Sequence, residues 1–108
     1  MLAQRQKKQR RQIDPYQLQR IMSADKHQLT AYVLEVAIVG CNKRDRVKIN
    51  RAIAELTSSL NFEYRDQAVV FYRVYRILNQ LISRGKFDEA KSILVDLHQT
   101  WKKAFNLS

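Results

Sequence analysis

The apolar positions of this chain recur with helical rather than strand spacing. Ile49, Ala52, Ile53, Leu56 and Leu60 fall at intervals of 3, 4, 7 and 11, a single stripe that predicts a helix over about 45–60, with Asn61 placed to close it. Val70, Val74, Ile77, Leu78, Leu81 and Ile82 form one face of a longer helix, about 63–84, with Phe71, Tyr72 and Tyr75 beside it. That stripe is wide enough to be covered on two sides. Phe87, Ala90, Leu94, Leu97, Trp101, Ala104 and Phe105 follow near-heptad spacing over about 87–105, the pattern of a bundle seam. An earlier, denser run, Leu29, Tyr32, Val33, Leu34, Val36, Ala37, Ile38 and Val39, also permits a strand over 31–39. Asp25 as N-cap, with Gln28 at capping-box spacing, favours a helix over about 26–40.

Punctuation agrees with this division. Asp14-Pro15 reads as the cap and first residue of a short helix, about 15–22. Gly85 stands where the longest helix should end, and Gly40 where the 26–40 helix should fray. Residues 41–46 read as a polar, mostly basic loop. Short connections make neighbouring helices antiparallel. The expected fold is all-α: an antiparallel four-to-five-helix bundle over residues 13–108, with a short N-terminal helix, preceded by a disordered basic tail over residues 1–12.

Charge adds a second theme. The formal net charge is +10 over 108 residues. Arg5, Lys7, Lys8, Arg10 and Arg11 crowd a start that holds no acid and almost nothing to bury, so it is expected not to fold. That start lacks the apolar stretch of a secretory signal, and no apolar run reaches the roughly 20 residues of a membrane span. Cys41 is the single cysteine, which excludes an intrachain disulfide and points to a reduced, cytosolic setting.

Catalytic chemistry has few carriers. His27 and His98 lack partners at metal-ligand spacing and read as surface residues. Cys41 has no neighbouring base and reads as inert. There is no Gly-rich phosphate loop and no Gly-x-Ser-x-Gly. The expectation is a non-enzymatic protein with no cofactor and no metal. A nucleic-acid reading rests on Lys43, Arg44, Arg46, Lys48 and Arg51, together with the basic tail; it lacks a helix-turn-helix pattern or an aromatic platform.

Several short marks occur in a suggestive order. Tyr16-Gln17 is followed by Ser23-Ala24-Asp25, then Leu29 and Val33-Leu34-Glu35-Val36-Ala37-Ile38. Ile53-Ala54-Glu55-Leu56-Thr57-Ser58-Ser59-Leu60-Asn61 and Leu97-His98-Gln99-Thr100-Trp101 come later. In this order, over about residues 15–105, the chain resembles the flagellin export chaperone family. Asp25 stands where that family has its capping Ser, and Val36 where it has a Gly.

The resemblance implies a cytosolic chaperone. Its partner would be the disordered C-terminal segment of flagellin, held as helices in apolar grooves so that the subunit neither polymerises early nor misses the flagellar export gate. Client-binding residues would be Tyr16, Ile21, Leu29, Val33, Ile38, Tyr72 and Tyr75, with Tyr16 and Ile21 as a movable cover. Two other readings stay open. One is a basic helical nucleic-acid-binding module. The other is a diverged chaperone for a different export client, because the stretch from Ile38 to Ile53 is shorter than the family pattern by roughly three helical turns.

Overall fold

The computed structural model describes residues 26–107, all in helices and the short turns between them. The expected tail over 1–12, the short helix over 15–22 and the Asp25 cap lie outside the described residues. Four helices follow: α1 (Lys26–Lys43), α2 (Arg46–Ser58), α3 (Arg65–Ser83) and α4 (Phe87–Ala104). Each packs on its neighbour in sequence, and α1 closes the ring by packing on α4. α1 has the most extensive contacts, and the α3–α4 seam is the thinnest. α1 and α3 therefore sit across the bundle from each other, each between α2 and α4.

The core follows the sequence stripes closely. Leu34 of α1, Ile49, Ile53 and Leu56 of α2, Leu78 and Ile82 of α3, and Leu94 of α4 are its fully enclosed large side chains. Each contributes about 1.5–3 kcal/mol by leaving water. No polar or charged residue is buried among the described residues, so the core holds no polar network to satisfy. Val70 and Ile77, expected on the covered face of α3, are 57% and 48% exposed instead. The α3 stripe is therefore covered over only part of its width.

Two glycines behave differently from each other. Gly85 has φ +73°, and the bonds Gly85 N–H to Ile82 C=O and Lys86 N–H to Leu81 C=O make the double closure of a left-handed helix end. Gly40, expected to fray α1, lies buried inside it. A Cβ there would stand 2.7 Å from Ile49 Cγ1, so the missing side chain is what lets α1 and α2 approach.

The expected 41–46 loop shrinks to Arg44 and Asp45. Arg44 takes φ 53°, and Asp45 N–H bonds to Gly40 C=O at 2.9 Å, closing α1 as Gly85 closes α3. Asp45 then caps α2: its Oδ1 accepts from Lys48 N–H at 3.0 Å. At the other end of α2, Ser59 is the C-cap, two residues ahead of the expected Asn61.

Candidate functional site

The two ends of the bundle are built differently. At one end α1 finishes, α2 starts, α3 finishes and α4 starts. The guanidinium carbons of Arg44 and Arg46 both stand 5.4 Å from the Phe87 ring centroid, and Arg46 Nε donates to Ile82 C=O at 3.2 Å. These two arginines, expected as phosphate ligands, are engaged within the fold. Lys43 is exposed, and Lys48 and Arg51 border a groove described below.

The opposite end is aromatic. His27 stacks on Phe105 with centroids 3.7 Å apart, and Trp101 meets His27, Phe71 and Phe105 at 5.9, 5.9 and 4.8 Å. Trp101 Nε1 donates to His27 C=O at 2.9 Å. With Leu60, Tyr64 and Tyr75 these rings line a cleft of about 320 Å³. His98, expected at the surface, is half-buried and lies 3.0 Å from Glu35 Oε2 across the α1–α4 seam. Both histidines are thus structural contacts. The signal for His98 was present: it follows Leu94 by four and precedes Trp101 by three, which is the inner face of α4.

Cys41 is buried in the core, where desolvation pushes its thiol above the usual range; the Lys91 charge offsets part of this and Asp88 adds to it. The nucleophilic thiolate is therefore disfavoured. Among the described residues no group of three or more His, Cys, Asp or Glu is placed to hold a metal ion. No helix there is long and apolar enough to cross a membrane.

The expected client residues fall into separate places. Tyr16 and Ile21 lie outside the described residues. Leu29, 39% exposed, and half-buried Val33 share one face of α1. Ile38 is partly buried against the core, and Tyr75 is buried in it, forming one wall of the aromatic cleft. Tyr72 is 41% exposed on α3, across the bundle from α1.

What gathers at Leu29 and Val33 is a wider apolar surface than expected. α1 is apolar on nearly all sides, and its outward face exposes Leu29, Tyr32 and Val39. Beside them Val33 and Val36 join Val47 and Ala52 of α2 in a groove of about 460 Å³, bordered by Lys48 and Arg51 as well as Asp45 and Glu55. Val47 is 62% exposed. A helix apolar all round normally lies buried; here the outward half faces solvent. Compared with protein-family models, with curated protein sequences and with solved structures, this chain matches none.

Proposed function

We propose that this protein is a non-enzymatic export chaperone of the flagellin type: an antiparallel bundle that works in the cytosol and holds a disordered client segment as helix on an apolar groove. The observation that carries this reading is the outward face of α1 with its groove against α2. Leu29, Tyr32, Val33, Val36, Val39 and Val47 offer a ready-made, contiguous apolar strip along α1 and the start of α2. An amphipathic segment laid along it would bury its own apolar face, with positions i, i+3, i+4 and i+7 meeting the valines. The order of Tyr16-Gln17, Leu29, Glu35 to Ile38 and Leu97 to Trp101 supports flagellin's C-terminal segment as the client, with delivery to the flagellar export gate as the outcome. A second export client of similar amphipathic pattern would use the same strip.

Fluorescence anisotropy with a labelled C-terminal flagellin peptide tests the reading. Val39→Asp with Val47→Asp places two charges on exposed positions, so the fold should survive, as circular dichroism would verify. The expected result is at least a ~10-fold loss of affinity, the scale of central interface positions. Unchanged affinity in the folded double variant would remove the groove from the account.

A further inference from the structure

Among the described residues, the densest basic stretch of sequence is not the most available basic surface of the fold. Within 43–51, Arg44 and Arg46 are turned onto Phe87 and the Ile82 carbonyl. α3 is different. Arg65, Arg73 and Arg76 within it and Arg84 at its C-cap are all exposed, and Asp66 is the one acid in that helix. The ion pairs among the described residues are Lys86–Glu89 and His98–Glu35, so none of these four guanidinium groups has an acidic partner there. At 100° per residue the four fall within an arc of about 100°, and Tyr72, 41% exposed, borders the same arc. From Arg65 to Arg84 the row runs roughly 28 Å along the helix.

We infer that this outward row of α3, Arg65, Arg73, Arg76 and Arg84 with Tyr72 beside it, is a binding surface for single-stranded nucleic acid. The shape of the row favours a strand: it is long and one helix wide, so phosphates spaced along a single strand can meet guanidinium groups spaced along the helix. The residue choice points the same way. Every base of α3 is Arg, whereas every base of α4 is Lys (Lys91, Lys102 and Lys103). A guanidinium fork takes two phosphate oxygens side by side, which an ammonium cannot do. Tyr72 supplies a ring on which a base stacks, a contact blind to sequence. The row lies across the bundle from the α1–α2 groove, so it stands whether or not that groove holds a client.

The test is a salt series of anisotropy titrations on the full chain with a labelled 12-nucleotide oligouridylate. Arg73→Gln with Arg76→Gln is compared with Lys48→Gln and Arg51→Gln, which removes the same charge from the other basic patch. The expected result is at least a ~10-fold loss for the α3 pair at about 0.15 M salt, with a salt slope shallower by roughly 1.4, for two fewer phosphate contacts on a single strand. The Lys48/Arg51 pair should lose no more than ~3-fold. Tyr72→Ala should weaken binding by ~5-fold or more without changing the slope.

Equal losses from the two pairs would overturn the proposal, because binding would then follow net charge alone. A larger loss from the Lys48/Arg51 pair would overturn it in favour of the α2 patch. A vesicle arm, three parts phosphatidylcholine to one part phosphatidylglycerol, covers the remaining case. Arginine-dependent binding to vesicles with none to oligouridylate would also overturn it, since the row would then recognise a lipid surface flanked by Val70 and Ile77.

Discussion

Trp101 Nε1 donates to the carbonyl of His27 at 2.9 Å, fastening the last turns of α4 to the first turn of α1 across 74 residues of sequence. The indole also packs edge-on against Phe71 and tilted against Phe105, so one side chain joins three helical segments. Trp101→Ala therefore removes a hydrogen bond and a large apolar contact together. We expect a loss of about 3 kcal/mol, toward the lower end for large aromatic truncations because the ring is only partly buried. Trp101→Phe should lose less, since the ring packing survives. Urea titration of both variants checks this. A loss below ~1 kcal/mol for the Ala variant would mean that this end of the bundle is held by other contacts.

Arg44 sits in the left-handed region at φ 53° while its guanidinium lies over Phe87. Two effects oppose each other. A non-Gly residue in that region costs about 1–2 kcal/mol, and an exposed cation–π contact returns about 0.5–1. Arg44→Gly loses the contact but relieves the backbone, whereas Arg44→Ala loses the contact and keeps the strain. The Gly variant should be the more stable of the two by about 1 kcal/mol, read from midpoints of chemical denaturation. Equal stabilities would show that the turn adopts another conformation.

Burial raises the Tyr75 phenol from 10.0 to about 12. Its neutral form is thus favoured in the folded state. The corresponding stability is fully present below pH 10 and is lost as pH rises from 10 through about 12. A shift of that size corresponds to about 2–3 kcal/mol. Tyr75→Phe should flatten the stability profile over this window while leaving it unchanged near neutrality apart from the hydroxyl's own contacts. Denaturation midpoints taken at intervals from pH 8 upward measure this. Identical alkaline profiles for both proteins would mean that the phenol reaches solvent through the aromatic cleft.

Much of the architecture was legible because its punctuation is local. Gly85 marks the end of α3, and the spacing of Phe87, Ala90 and Leu94 sets the inner face of α4. The errors have physical causes. Residues 41–46 read as a loop by their polarity, yet one left-handed residue, Arg44, closes α1 and one Asp side chain opens α2. Gly40 read as a frayed end because a glycine's role as a contact point depends on a partner, Ile49, nine residues away. The α3 stripe was seen to be wide, but nothing in the chain says which side a neighbour covers, and Val70 and Ile77 were left partly open. Leu29 and Val33 share one α1 face with Val36 and Val39, which helical spacing alone could show; that Val47 of α2 adjoins this face is a tertiary relationship that the spacing within α1 does not carry. The arginine row of α3 was readable at 65, 73, 76 and 84. Local charge density hides it, because the four arginines share one helical face but lie far apart in sequence.

If the α1–α2 groove takes a disordered client segment, binding must order that segment as helix. Isothermal titration calorimetry of the full chain with the flagellin C-terminal peptide, run at several temperatures, measures this most directly. Binding should carry a negative heat-capacity change from apolar burial. Helical circular dichroism should rise beyond the sum of the free components, and both signals should be lost in the folded Val39→Asp, Val47→Asp variant. No heat at any temperature with peptide at about tens of micromolar, or binding that leaves the peptide unordered, would contradict this use of the groove.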